Sequence, residues 1–445
     1  MFSESTFLYT LSLPDSIMPK PGDKVRITTS KETFEGILMP RPDLLTPGIT
    51  VIKLKSGYNV GIESKKITSI DVIEPYAAKS PVKTASAQDP RLPTVAVIST
   101  GGTIVSKIDY YSGAVSADYT AEDFIEMCPE LKGIANIRAK KIMGIMSEDM
   151  DFSVYEQLAA AIADELKTAD GIVVTQGTDT LHFTTAAMSF ALQHLNKPVI
   201  FTAAQRSIDR GSSDAFMNLI CAVQTAAKFK VGIVATCMHG SSDDDACLLI
   251  RGTKVRKMHT SRRDAFRPMN ENPLAKIWPD GKIEHLNTQY AKSHEKPLEL
   301  KNQFEPRVAL VLIYPGMDPG SIEYYIKKGF KGIVLAATAL GHVPTFNPQS
   351  SLMQVLDKAA KKKIPVVIAS QTLYGAVHPF VYTNLRKLSV ERKCIFVHDM
   401  LPEVAYIKLA WVLARAQEYA VIKHMMQTSI AGEISERHQP GEFLI

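Results

Sequence analysis

The chain reads as α/β, with two α/β domains built on parallel sheets and a small all-β barrel in front of them. Three observations predict this. From Thr94 onward the apolar runs VAVIS, GIVVTQ (from Gly171), PVIFTAA (from Pro198) and VGIVATC (from Val231) alternate with amphipathic or alanine-rich stretches such as 153–168 and 180–195. After a polar connection a second alternation begins, with VALVLIY at Val308, GIVLAAT at Gly332, PVVIAS at Pro365 and IFVHD at Ile395. Upstream, between Pro21 and Glu74, short alternating runs (KVRITTS, TFEGILM, ITVIKL, YNVGIE) are punctuated by PG, RPD and KSG and show no helical period.

In chain order, residues 1–75 form the barrel domain, expected to hold about five strands. Its pattern resembles SH3-like or Tudor-like barrels, and a docking role suits it better than a catalytic one, because few carboxylates are placed for chemistry. Residues 76–93, rich in Ala, Ser, Lys and Pro, read as a linker. The first α/β domain spans 94–288, a polar connection 289–306, and the second α/β domain 307–445. A helix is expected from Pro402 to Ala414, opening on Pro and Glu and apolar enough to be packed on both sides. The terminal ERHQPGEFLI reads as a tail that docks on a neighbour.

Composition bounds the function. With 445 residues, 45% hydrophobic and 22% charged, the chain can bury a sizeable core. A net charge of +5 is compatible with a nucleic-acid partner but falls short of the dense basic stripe that would demand one. The N-terminus lacks the basic start and unbroken apolar run of a signal peptide, and no stretch reaches membrane-span length, so a cytoplasmic protein without membrane contact is expected. Five cysteines (Cys128, Cys221, Cys237, Cys247, Cys394), none in CxxC spacing, read as reduced thiols filling the core.

Three stretches carry chemistry. TVAVISTGGT (94–103) is a buried strand running into two glycines and Thr103, at the strand end where open α/β sheets place ligands. GIVVTQGTDT (171–180) repeats the design with a carboxylate, although Asp179 could equally be the N-cap of the helix that follows. The basic segment RGTKVRKMHTSRR (251–263) could be a solvated hairpin, or could turn one lysine inward to pair with Asp179 and draw a proton from a threonine. Cys237, His239, Asp243 to Asp245 and Cys247 fit no common zinc spacing, and His342 and His378 read as structural hydrogen-bonders.

The combination of TGGTI at Thr100, GTDT at Gly177 and the lysine of TKVRKMHTS resembles the type I asparaginase family over roughly residues 93–435. The resemblance implies a nucleophilic Thr103, a lid-loop tyrosine at Tyr110 with Tyr111 as the fallback, and a second trio of Thr178, Asp179 and Lys257. It places substrate contacts at Gly102, Ser147, Glu148, Thr178 and Asp179, since MSEDM at Met146 matches the family's GSQDM; Glu148 departs from a glutamine common there. The loop SKIDYYSGAVSAD (106–118) would close as a lid. A barrel, a linker and then this module, with 93 residues ahead of Thr94, is similar to the D subunits of archaeal glutamyl-tRNA(Gln) amidotransferases.

That resemblance implies a glutaminase that passes ammonia to an E subunit. The E subunit would bind Glu-tRNA(Gln) and amidate it with ATP and magnesium, so that this chain needs no cofactor or metal of its own. It also implies a homodimer of this subunit within a heterotetramer. No GxxxxGK[ST] or GxGxxG phosphate loop is present, in keeping with an activation step supplied by a partner. Two other readings stand beside it: a free-standing cytoplasmic asparaginase or glutaminase with an accessory barrel, and a non-enzymatic scaffold, which the intact Thr103, Tyr110, Thr178, Asp179 and Lys257 argue against.

Overall fold

The structure is a computed structural model that describes residues 18–39, 47–55, 59–76, 89–101, 107–108, 115–116, 128–206, 213–287, 290 and 296–443. They divide into two compact units. The first contains strands β1 (Lys24–Thr29), β2 (Thr33–Leu38), β3 (Ile49–Leu54), β4 (Asn59–Glu63) and β5 (Ile67–Glu74) in one antiparallel sheet ordered β4-β3-β2-β1-β5. Alternation along these strands puts Val25, Ile27, Ile52 and Ile62 on one buried face. The five strands were expected. A closed barrel is not what the pairings describe: β4 and β5 are the two edges of the sheet, and no ladder joins them among the described residues.

The second unit holds both α/β layers. Its large sheet uses β6 (Thr94–Ser99), β7 (Asn136–Lys141), β8 (Gly171–Thr175), β9 (Val199–Thr202), β10 (Val234–His239) and β11 (Cys247–Arg251). A two-stranded ribbon, β12 (Val255–Lys257) with β13 (Phe266–Pro268), follows, and β14 (Ala275–Ile277) and β15 (Ile283–His285) return to the sheet. The order is β15-β14-β11-β10-β9-β8-β6-β7. Strands β7, β6, β8, β9 and β10 are mutually parallel, whereas β11, β14 and β15 join antiparallel. The expected all-parallel sheet is therefore corrected to a mixed one. The reason is chain length: the turn between His239 and Cys247 is too short for the dozen or more residues a parallel crossover needs, so β11 folds straight back.

Helices α1 (Phe152–Glu165), α2 (Leu181–Ala191) and α3 (Ala215–Lys228) cover the sheet. The side chain of Asp151 accepts the Val154 N–H and so caps α1. Strands β8 and β9 are buried along their full length, as parallel strands covered on both faces should be. The smaller sheet runs β16 (Val308–Leu312), β17 (Gly332–Ala337), β18 (Val366–Ser370), β19 (Ile395–Phe396), all parallel. With it come α4 (Gly320–Lys327), α5 (Met353–Lys361), α6 (Thr383–Arg386), α7 (Pro402–Leu413) and α8 (Tyr419–Gln427). Pro402 sits in the first turn of α7, and ten of its twelve residues are buried because it lies between α2 and the smaller sheet. The Trp411 indole N–H reaches the Lys301 carbonyl at 2.9 Å, fixing the polar connection to this helix.

One glycine decides the geometry at the site. Gly101 has φ +118°, and a Cβ there would lie 2.4 Å from the Ile145 carbonyl oxygen. Gly101→Ala is expected to cost more than about 3 kcal/mol, from backbone strain plus a clash with main chain that has no side-chain freedom to yield. Urea unfolding measures it, and an unchanged midpoint would contradict this account of the turn.

Candidate active site

Strands β6 and β8 lie side by side in parallel register, Ser99 opposite Thr175, so both chemistry-bearing stretches leave the same edge of the sheet. The Thr100 N–H and hydroxyl both donate to the Thr175 carbonyl, at 3.1 and 3.2 Å. A third segment is laid across the two strand ends. The Ile145 N–H donates to the Thr100 carbonyl at 3.0 Å, and Gly177 lets Ser147 approach so closely that a Cβ at 177 would stand 2.8 Å from the Ser147 Cβ. The Thr180 hydroxyl donates to the Ser147 carbonyl at 2.5 Å. Residues 100–101, 145–148 and 177–180 thus converge, with Ser147 buried and Glu148 exposed in the same single 3-10 turn. Gly102, Thr103, Tyr110 and its fallback Tyr111 lie outside the described residues.

Lys257 reaches this edge from the β12–β13 ribbon. Its Nζ donates to Thr178 Oγ1 at 2.8 Å and to Asp179 Oδ1 at 2.6 Å, and the Thr178 hydroxyl donates to the same carboxylate oxygen at 3.3 Å. The lysine side chain is 10% exposed, the aspartate 66%. The hydrogen bond from Lys257 is the main reason the Asp179 carboxyl is held below the usual carboxylate range; its partial burial works against this, and the Lys257 charge and Thr178 hydroxyl assist. Asp179 is not the helix cap. Thr180 takes the N-cap position of α2 and makes no side-chain cap bond, because its hydroxyl is spent on Ser147. Hydroxyl, acid and amine are therefore within hydrogen-bond reach of one another, which is the geometry for moving a threonine proton.

The frame that holds the ribbon has almost no signature in the sequence. Lys254 and Arg256 carry the ribbon's other charges to the start of α7: Lys254 Nζ meets Asp399 Oδ2 at 2.6 Å, both side chains almost wholly buried, and Arg256 Nη1 bridges both Glu403 oxygens at 2.7 and 2.8 Å. Asp399 also accepts the Ser435 N–H at 3.0 Å and lies 3.2 Å from His438 Nε2. Burial pushes the Glu403 carboxyl up, with Arg256 opposing that rise. The signal that could have found this frame is the K-V-R-K run, in which Val255 is buried between two cations that need carboxylates.

The remaining basic residues are spoken for. Arg262 and Arg267 share Asp264, Arg263 bonds Asp244 and the Ser242 carbonyl, and His259 Nδ1 accepts the Ser261 and Arg262 N–H groups. An RNA-facing role for this segment finds its cations already paired with carboxylates. His239 bonds Asn218 and Asp244, Cys247 donates to Asn218, and among the described residues no group of three or more His, Cys, Asp or Glu could hold a metal ion. All five cysteines are free thiols and buried. His342 contacts Asn384 at 3.1 Å, and His378 Nδ1 accepts the Phe380 N–H at 3.2 Å. No helix among the described residues is long and apolar enough to cross a membrane.

A Thr-Asp-Lys trio at a parallel strand's carboxyl end, beside a TGGT turn, defines an asparaginase-type amidohydrolase. The family described as asparaginase, N-terminal, matches residues 94–291, and the glutaminase/asparaginase C-terminal domain matches 307–426. The thermostable L-asparaginase from Thermococcus kodakarensis superposes with a TM-score of 0.69 at 27% identity, covering 77% of this chain and 100% of that one. L-asparaginase I from Vibrio cholerae gives 0.67 at 26% identity, covering 77% and 99%. The upstream residues 19–73 match the GatD N-terminal domain. The glutamyl-tRNA(Gln) amidotransferase D subunit of Pyrococcus furiosus is 46% identical over 95% of this chain and 97% of its own, and that of Methanothermobacter thermautotrophicus 44% identical over 94% of each. The chain belongs to the family of glutamyl-tRNA(Gln) amidotransferase D subunits.

Proposed function

We propose that this chain is the glutaminase subunit of a Glu-tRNA(Gln) amidotransferase: it hydrolyses glutamine to glutamate, and the ammonia goes to a partner E subunit that converts Glu-tRNA(Gln) to Gln-tRNA(Gln). The observation that carries this is the Lys257–Thr178–Asp179 trio on a chain that D subunits match along 95% of its length, the 19–73 unit included.

In this reading Thr103 Oγ attacks the side-chain amide, Tyr110 orients it, and backbone N–H groups at Gly102 steady the oxyanion. The Thr178–Asp179–Lys257 relay moves the hydroxyl proton to the departing nitrogen, and water then releases glutamate from the acyl-enzyme. Ser147 binds the substrate α-carboxylate, and the carboxylates of Glu148 and Asp179 take its α-amine; a cationic amine answers the departure at Glu148. ATP and magnesium are the partner's, and tRNA is held mainly by the partner. The N-terminal unit is read as an SH3-like barrel used for docking. A homodimer of this subunit inside a heterotetramer accords with apolar rings left in solvent on loops of the smaller sheet, Phe346 at 97% exposure with Phe380 and Tyr382. The work of such a complex belongs in the cytoplasm.

The test compares ammonia release from glutamine and from asparagine, by the chain alone and with an E-type partner and Glu-tRNA(Gln). Weak glutamine hydrolysis alone, rising when the partner and tRNA are added and abolished by Thr103→Ala, is expected. Vigorous asparagine hydrolysis by the lone chain would select a free-standing asparaginase instead, and unchanged turnover in Thr103→Ala would end its assignment as nucleophile.

A further inference from the structure

A pocket of about 530 Å³ opens beside Lys257, walled by His182, Arg256, Met258 and His259 together with Asp179 and Lys257 itself. Ser147 and Glu148, which take the substrate's α-carboxylate and α-amine in the reading above, do not line it. His182 lies in the first turn of α2, immediately after the Thr178–Asp179 motif, and is 8% exposed. Its Nδ1 is buried without a hydrogen-bond partner among the described residues, while Nε2 stands 3.9 Å from Glu403 Oε1. A buried imidazole nitrogen left unpaired costs stability, about 1–3 kcal/mol, and calls for a ligand that supplies the missing bond.

We propose that this pocket is the port through which ammonia leaves the site toward the partner subunit, with His182 as its uncharged hydrogen-bonding station. This rests on the reading that the ammonia is passed on and not released. In the acylation step the amide C–N bond breaks and a C–O bond to the threonine forms, while the threonine proton ends on the departing nitrogen. Ammonia therefore leaves as neutral NH3 with its lone pair intact. Only that form can attack an activated carboxyl group; ammonium cannot.

The walls of the pocket favour the neutral form. Arg256 and Lys257 are fixed cations, one tied to Glu403 and the other to Asp179, so an ammonium ion entering between them meets like charge. The His182 imidazole is itself kept neutral, its pKa pushed down to about 3 by burial first and by Arg256 and Lys257 next. A neutral imidazole can accept an N–H of ammonia at Nδ1, and the same positive surroundings that keep it unprotonated discourage protonation of its guest.

The experiment counts, in one reaction of the full complex with Glu-tRNA(Gln), the glutamate released from glutamine and the Gln-tRNA(Gln) formed. His182→Leu is expected to keep glutamate release within about twofold while lowering Gln-tRNA formed per glutamate by about fivefold, the worth of one hydrogen bond. Added ammonium chloride should restore amidation in that complex. His182→Asn, which retains an acceptor, should couple like wild type, and Met258→Trp, which narrows the port without touching His182, should uncouple as His182→Leu does. An unchanged ratio in both His182→Leu and Met258→Trp overturns the port. So does a parallel fall of both products in His182→Leu at constant ratio, the signature of a structural role. A wild-type complex that releases no glutamate from glutamine would instead defeat the glutaminase reading.

Discussion

Lys257→Met is expected to lower glutamine hydrolysis about a thousandfold, the scale of losing a positioned proton-transfer group, with the fold intact. Methionine keeps the unbranched shape of a side chain that is 10% exposed but removes the amine bonded to both Thr178 and Asp179. Because Asp179 is two-thirds exposed, its carboxylate falls back on water once the lysine is gone, and the stability cost should stay within about 1 kcal/mol. The loss should sit in kcat with KM little changed, since a proton relay acts in the transition state and not on bound glutamine. A kcat within tenfold of wild type would remove Lys257 from the relay.

The second large effect is on stability. Lys254→Met should cost about 3–5 kcal/mol at neutral pH, because it strands the Asp399 carboxylate in an almost wholly buried site. In the wild type, burial pushes Asp399 up, but Lys254 and the Ser435 N–H outweigh it and hold the carboxyl below its ordinary range. A depressed folded pKa means the contribution is present above the unfolded value, near 3.9, and is lost as pH falls through the folded value. Without Lys254 the desolvation is unopposed and the shift reverses, so the deficit of Lys254→Met should shrink as pH is lowered toward 4. Pairing it with Asp399→Leu should recover much of the loss. Urea unfolding of the three proteins between pH 4 and 7 measures this; a deficit under about 1 kcal/mol at pH 7 would show that the pair does not anchor the ribbon.

Much of the α/β layering was legible because it rests on local pattern. TVAVIS and GIVVT are apolar runs of strand length ended by Thr and Gly, and their burial from end to end is what a doubly covered parallel strand produces. The mixed character of the large sheet was missed because it depends on the shortness of one turn, 240–246, and not on the composition of the strands it joins. Strand count in the N-terminal unit could be read from alternation; closure could not, since it is a property of which edges meet.

At the site, the pairing of Lys257 with Asp179 was readable as a possibility from charge and strand position, while the frame behind it was not. Asp399 and Glu403 stand 145 and 147 residues from their partners Lys254 and Arg256, and nothing local distinguishes them from helix-start acids. His182 gave no signal either: within TDTLHF it reads as one more residue of an amphipathic helix, and its interest comes only from burial beside Arg256 and Lys257. Thr180 looked like part of the chemistry or part of a cap, and turns out to tie Ser147 to the strand end.

The central claim is that this chain liberates ammonia for another subunit's use. Glutamine labelled with 15N in its side-chain amide, given to the complete complex with Glu-tRNA(Gln), ATP and an excess of unlabelled ammonium, tests it most directly. Transfer within the complex predicts that most Gln-tRNA(Gln) carries 15N despite the excess, and that Lys257→Met abolishes the label while unlabelled product still forms. Product carrying 15N only in proportion to its share of the bulk ammonia would contradict the account.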